Sequence, residues 1–297
     1  MRAGDAARPA RVVSVGRNAV WIAFEDSVEL HVASLRKTQE RLGLVPGDLV
    51  LARPMDEERV LIERREPRGF TLERRTDGGR TKTMAANIDG IAIVTALTDP
   101  PFHATMVDEL LAFAEIHGLG ARLVLTKLDL LEPAAAVAIL ALYRGLGYRV
   151  LAINPKAHVG IDEVERELAG HRTLLIGQSG VGKSSLFRAL GGTAAVGDVS
   201  KIGRGRQTTS AGRLHRFPDG FLIDSPGVSD FHLHGFDGPT VASGFVEFEP
   251  LLGTCRFTDC THRIEPGCAI RAALAAGAIA PSRYASYREI VGRPPER

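Results

Sequence analysis

From Arg11 to about Ile62, apolar and polar residues alternate in short runs: Arg11-Val12-Val13-Ser14-Val15, Ala19-Val20-Trp21-Ile22-Ala23-Phe24 and Val28-Glu29-Leu30-His31-Val32. Val45-Pro46-Gly47-Asp48 reads as a turn into Leu49-Val50-Leu51-Ala52, and Arg59-Val60-Leu61-Ile62 closes the series. Period-two runs of this length, separated by turn residues, predict five short strands and hence a small all-β barrel. An OB-like barrel fits and would offer a face to oligonucleotides; strand count alone does not separate it from an SH3-like barrel.

Residues 63–87 are rich in Arg, Gly and Thr and carry little apolar periodicity, so they read as a connector. Its Arg64, Arg65, Arg68, Arg74, Arg75, Arg80 and Lys82 suit either contact with RNA phosphates or a plain solvated basic linker. Beyond Ile88 the pattern changes. Ile91 to Leu97 is an unbroken apolar run of the kind that forms a fully buried strand, and Val107, Leu110, Leu111 and Ala114 give Met106 to His117 helical spacing. Further strands are expected at Arg122–Leu125, Arg149–Ile153 and Thr173–Ile176, making a parallel α/β sheet. Leu214–Phe217 and Phe221–Ile223, joined by Pro218-Asp219-Gly220, predict an antiparallel hairpin added at the sheet edge. After Gly227 the chain is loop-rich, then helical from about Cys268 to Ala276 and from Ser282 to Val291.

At 297 residues the chain exceeds the ~100–200 residues of one domain, which implies two or three. Its composition is that of a globular protein, without an apolar run of the ~20 residues a membrane span needs and without a secretory signal behind Met1, so a cytoplasmic location is expected. The net charge of +2 neither requires nor excludes a nucleic-acid partner. All three cysteines fall in one short segment, and in a reducing compartment that favours a metal site over a disulfide framework.

Gly177-Gln178-Ser179-Gly180-Val181-Gly182-Lys183-Ser184 matches the phosphate-loop pattern in full, after an apolar strand and before a helical stretch. Its glycines let backbone N–H groups face phosphate oxygens, Lys183 supplies charge to the β and γ groups, and Ser184 is the expected Mg²⁺ ligand, with Ser185 beside it. Asp224-Ser225-Pro226-Gly227 lies downstream behind a second apolar strand and suits a γ-phosphate sensor, with Asp224 on the Mg²⁺ side. Between the two motifs, Gly203 to Ser210 is a polar loop in which Thr208 or Thr209 would complete the Mg²⁺ shell. Thr126-Lys127-Leu128-Asp129 ends a strand. A carboxylate at Asp129 accepts two hydrogen bonds from guanine and finds no matching donor pair on adenine, while Lys127 lies along the base. Thr126 stands where most GTPases carry Asn, replacing one amide contact to the purine by a hydroxyl. The base-reading motif here precedes the phosphate loop, the reverse of the ordinary order, so the pattern is that of a circularly permuted GTPase domain.

Cys255-x4-Cys260-x-His262-x5-Cys268 puts four metal-capable side chains in one loop and predicts a structural tetrahedral Zn²⁺ with three sulfur ligands and one nitrogen. Full coordination leaves no open position for catalysis. His232 and His234 form an H-x-H pair but lack nearby partners and read as switch or surface residues rather than ligands.

With these pieces assembled, the chain resembles the bacterial ribosome small-subunit-dependent GTPase A family. The resemblance rests on Ala86-Asn87-Ile88-Asp89, Gly177 through Leu186, Asp224-Ser225-Pro226-Gly227-Val228, and Cys255 through Cys268 with Pro266-Gly267-Cys268-Ala269-Ile270. It implies an OB-fold RNA-binding domain over 1–66, a basic linker over 67–87, a permuted GTPase domain over 88–236 and a mostly helical zinc-binding domain over 237–297. It also implies a protein that hydrolyses GTP to GDP and acts in late maturation of the small ribosomal subunit through contact with its rRNA; nothing in the sequence suggests an obligate dimer, so a monomer is expected. Two positions depart from the family pattern: Gln207 replaces the usual His before the Thr run, and Thr126 replaces Asn. Val228 follows Gly227 and cannot orient water, so Gln207 becomes the candidate for that role. The rival readings are an RNA-binding assembly protein that uses GTP only as a structural ligand, a phosphate-loop kinase or ATPase, which Asp129 disfavours, and a redox switch at the cysteines.

Overall fold

The structure is a computed structural model that describes residues 6–16, 19–27, 29–34, 42–56, 59–75, 81–127, 133–191, 213–224 and 236–293. Its first five strands are β1 (Arg8–Val15), β2 (Ala19–Phe24), β3 (Leu30–Ser34), β4 (Leu49–Pro54) and β5 (Arg59–Arg65), and they close in the order β1-β2-β3-β5-β4. The barrel is OB-like. β1 is long enough to serve two neighbours: Arg8 to Arg11 pair with β4 while Ala10 to Val15 pair with β2, and a register shift between Val12 and Ser14 bends the strand from one partner to the other. The alternating apolar positions Val12, Val20, Ile22, Val50, Ala52, Val60 and Ile62 fill the interior.

The segment expected to be a linker is a hairpin instead. β6 (Thr71–Arg75) pairs antiparallel with β7 (Thr81–Ala86); Leu72, Met84 and Ala85 are buried in the main core, and Ala86 is buried as well. Arginine and threonine dominate this stretch, so its few apolar anchors give no visible period. The hairpin is riveted to the barrel. Arg68 makes a bidentate pair with the fully buried Asp48 at 2.6 and 2.8 Å, and Ala86 N–H donates to Pro46 O at 2.8 Å. Gly47 must be glycine here: it sits at φ +89°, and a Cβ would lie 1.8 Å from Ala86 O. Asn87, itself at φ +53°, completes the joint by donating to Gly47 O at 3.1 Å and accepting from Gly69 N–H at 2.8 Å.

The sheet that follows comprises β8 (Gly90–Ala96), β9 (Gly120–Thr126), β10 (Arg149–Ala152), β11 (Arg172–Ile176), β12 (Arg213–Phe217) and β13 (Gly220–Asp224), in the order β10-β9-β8-β11-β13-β12. All pairings are parallel except the β12–β13 hairpin at the edge. Helices α1 (Ala104–Ile116), α2 (Pro133–Gly145), α3 (Ile161–Leu168) and α4 (Lys183–Ala189) connect the strands. β8 is buried at all seven positions, as a strand covered on both faces must be. From β8 the chain builds outward through β9 to β10, then returns to lay β11 on the other side of β8. The crevice at the carboxyl ends of β8 and β11 is therefore a topological switch point, where ligands bind in open α/β sheets.

The C-terminal part comprises α5 (Gly238–Ser243), a 3₁₀ turn at Glu249–Leu251, α6 (Ala269–Ala275) and α7 (Pro281–Gly292), with the cysteine loop between the turn and α6. α7 lies along α1. Arg283, fully buried, binds Asp108 of α1 at 2.7 Å and Glu247 at 2.7 and 3.1 Å, and Tyr143 of α2 donates to the same Asp108 oxygen at 2.7 Å. Burial alone would lower the Arg283 guanidinium; Glu247 and Asp108 outweigh it and hold it above its ordinary value. No helix among the described residues is long and apolar enough to cross a membrane.

Candidate nucleotide and metal sites

The phosphate loop leaves β11 at Ile176 and enters α4 at Lys183, so its turn lies at the switch point. Its glycines answer geometric demands. Gly177 has φ +153° and a Cβ there would meet Val94 O of β8 at 2.2 Å; Gly182, at φ +101°, caps α4 in a left-handed conformation. The amine of Lys183 arches over the loop and donates to Gly177 O at 2.5 Å and Gln178 O at 2.6 Å. Ser184 and Ser185 follow in the first turn of α4, where backbone N–H groups and the helix dipole favour anions. Asp224, buried at the end of β13, is in register with Leu175 of β11, two residues before the same loop begins.

The base-reading motif reaches this loop from the other side. Thr126 ends β9, and its buried hydroxyl donates to Val181 O at 2.5 Å, with Thr95 O a further 3.3 Å neighbour. Through this contact the Thr126 side chain ties the base-reading motif to the phosphate loop. Lys127 follows at φ +56°, and its amine donates to Asp99 O and lies 3.6 Å from the Asp99 carboxylate. The structure thus gathers Thr126, Lys127, Gly177 to Ser185 and Asp224 at one edge of the sheet. Leu128, Asp129, Gln207, Thr208, Thr209, Ser225, Pro226, Gly227, Val228, His232 and His234 lie outside the described residues.

Two further loops share this edge and were not singled out from the sequence. After β10, Asn154 forms an Asx turn by accepting from Lys156 N–H at 3.1 Å and Ala157 N–H at 3.3 Å, while Ile153 N–H donates to Leu125 O at 2.8 Å and holds the turn against β9. The Asn-Pro pair at the end of an apolar strand was the available signal. The loop after β8 brings Asp99 to Lys127 and Pro100 toward Gly180.

Cys255, Cys260, His262 and Cys268 present ligand atoms that all lie within 4.8 Å of one another. His262 Nδ1 is 3.5 Å from both Cys255 Sγ and Cys268 Sγ, and those sulfurs are 4.0 Å apart. A Zn²⁺ with bonds of ~2.3 Å to sulfur and ~2.0–2.1 Å to nitrogen spans tetrahedral edges of about 3.8 and 3.6 Å, so the donor set fits that ion. Chemistry agrees with geometry. Burial pushes the Cys260 thiol up to about 12, and a dication is what allows clustered thiolates to share such a site. The loop is pre-shaped by Glu265, whose carboxylate accepts from Thr261 N–H at 2.9 Å, from Arg263 and Ile264 N–H at 3.0 Å, and from the Thr261 hydroxyl. Those donors, the Thr261 hydroxyl first, hold the Glu265 carboxyl well below its usual range. Tyr284 and Tyr287 of α7 donate to His262 O at 2.8 Å and Thr261 O at 2.9 Å, fastening the loop to the helix that packs on α1.

Comparison with known proteins places this arrangement. Residues 65–234 match the family described as RsgA GTPase. The small ribosomal subunit biogenesis GTPase RsgA of Gemmatimonas aurantiaca is 39% identical over 301 residues, covering 95% of this chain and 97% of that protein. Its counterpart in Ectopseudomonas mendocina is 43% identical over 261 residues, 86% of this chain and 76% of that one. Among solved structures, YjeQ from Thermotoga maritima superposes with a TM-score of 0.69 at 28% identity, over 97% of this chain and 100% of its own. YloQ, described as a circularly permuted GTPase, gives a TM-score of 0.68 at 21% identity over 98% and 96% of the two chains, a likeness of fold alone. The chain belongs to the RsgA family of circularly permuted GTPases and is a GTP hydrolase of ribosome biogenesis.

Proposed function

We propose that this protein binds the small ribosomal subunit and its rRNA, hydrolyses GTP when the subunit completes its site, and leaves the subunit late in maturation. It does so as a cytoplasmic monomer. The observation that carries the reading is the convergence of the phosphate loop, Thr126, Lys127 and Asp224 at one switch point, in a chain whose relatives are named for small-subunit biogenesis.

In this reading the Gly177–Gly182 backbone and Lys183 hold the phosphates, and Ser184, Asp224 and Thr208 or Thr209 would hold Mg²⁺, which would supply charge neutralisation to the phosphates. Asp129 selects guanine through its paired acceptors, with Lys127 along the base. Gln207 orients the attacking water when the ribosomal subunit is bound, since Val228 offers no polar atom for that task. Cys255, Cys260, His262 and Cys268 hold a structural Zn²⁺. Permutation supports a direct output: the chain passes from Asp224 through residues 225–235 straight into α5, so a change at the γ-phosphate is delivered to the helical C-terminal part.

The test is GTP hydrolysis by the full chain with and without small subunits, using large subunits and ATP as controls. Stimulation by small subunits with GTP alone is expected; equal turnover in their absence would overturn the reading. Gln207→Ala is expected to abolish the stimulated component while leaving GDP binding intact, and unchanged stimulated turnover would remove Gln207 from the mechanism. Lys183→Ala that retained turnover would favour a protein using GTP only as a structural ligand.

A further inference from the structure

We infer that Asp99 is a positioning residue for the guanine-side lysine: it fixes the amine of Lys127 so that the aliphatic stem is laid out where the nucleotide base arrives. The inference rests on the placement of Lys127 in the nucleotide site made above.

Lys127 sits in the left-handed region at the end of β9, one residue beyond the last ladder pair between Ala96 and Thr126. A lysine stem at such a corner has four rotatable bonds, and an unrestrained one must lose that freedom when a base settles against it. In this molecule the far end is already held. The amine donates to Asp99 O and lies 3.6 Å from the Asp99 carboxylate, so the side chain spans from the end of β9 to the loop after β8. That loop is itself held. Phe102 N–H donates to Leu97 O at 3.3 Å, and His103 caps α1 by accepting from Met106 N–H at 3.3 Å. Pro100 lies beside Gly180, the nearest atom a Cβ there would meet, at 3.9 Å. One short loop therefore touches the lysine through Asp99 and adjoins the phosphate loop through Pro100. Restraining a ligand-facing side chain before binding strengthens association by lowering its entropic cost.

The Asp99 carboxylate is 85% exposed, which sets the size and the signature of its effect. An exposed pair acts modestly and is screened by salt, whereas the backbone carbonyl contact survives any substitution at this position. GDP titrated calorimetrically into the full chain is the readout. At about 50 mM salt, Asp99→Asn is expected to raise the Kd about two- to fivefold, and Asp99→Lys more because it repels the amine. Asp99→Glu is expected to restore most of the affinity, and the differences should close toward 1 M salt. In a Lys127→Ala background Asp99→Asn should have no further effect. Equal losses in both backgrounds, a salt-independent loss, or tighter GDP binding by Asp99→Asn would overturn the inference, the last by making Asp99 a competitor for the lysine. If Lys127→Ala leaves GDP affinity unchanged, the placement of Lys127 fails first and the role of Asp99 falls with it. If Lys127→Ala weakens binding and Asp99→Lys does not, only the inference about Asp99 fails.

Discussion

The phosphate loop and the cysteine loop are both short irregular segments that present ligands, yet they are held in opposite ways. The phosphate loop is shaped from outside: Val94 O fixes how close Gly177 lies, and Thr126 of β9 holds Val181. The cysteine loop is shaped from within, by Glu265 gathering its backbone donors and by Arg256 N–H closing on Gly267 O at 3.0 Å, with two tyrosines of α7 as its outer anchors. A site built on a sheet inherits the rigidity of the sheet. A site built in a loop needs its ion to bring it to the same state.

The sharpest way to break this comparison is to withhold the Zn²⁺ that the cysteine loop is proposed to hold. Structural zinc contributes on the order of 10 kcal/mol to small metal-folded units, so chelation should release the amides of residues 255–292 to hydrogen exchange while GDP binding persists. Protection retained there in metal-free protein would show that the helices alone suffice. Next in size are glycine substitutions in the phosphate loop. Gly177→Ala forces a methyl onto Val94 O and should cost about 1–3 kcal/mol in denaturant unfolding and abolish GDP binding. Gly180→Ala, with its nearest neighbour at 3.9 Å, should cost about 1 kcal/mol through its φ of +81° alone. Equal losses would mean that the sheet does not shape the loop. The smallest effects form a matched pair. Thr126→Val leaves Val181 O without its buried donor, and about 1–2 kcal/mol should appear in GDP affinity but not in zinc content. Tyr284→Phe removes the donor to His262 O and about 1 kcal/mol should appear in the metal-release midpoint but not in GDP affinity. A crossed result in either variant would mean that the two loops are energetically one site.

The phosphate loop and the cysteine cluster could be placed from the sequence because the pattern of each is local. A glycine-rich turn between a strand and a helix, and four ligands in one loop, announce themselves within a few residues. What escaped the sequence depends on distant partners or weak patterns. Arg283 sits in a stretch, Pro281 to Gly292, that mixes Arg, Tyr and Ser, so nothing there signals full burial; its partners Asp108 and Glu247 lie far away in the chain. The β6–β7 hairpin hid behind its arginines and threonines because four apolar residues anchor it and no period survives. Thr126 was visible as a departure from the usual Asn, but the direction of its hydroxyl is decided by Val181, a neighbour only in the folded sheet.

The joint at Asn87 bears on how this molecule divides. A cut after residue 66 would look harmless in the sequence. It would separate Asp48 from Arg68, strip Pro46 O of the Ala86 donor and leave the Asn87 side chain with one of its two backbone partners. Barrel and hairpin are interlocked like a mortise and its tenon, each supplying the wall against which the other is closed. Either piece expressed alone would expose an unpaired buried surface where the intact chain has a joint.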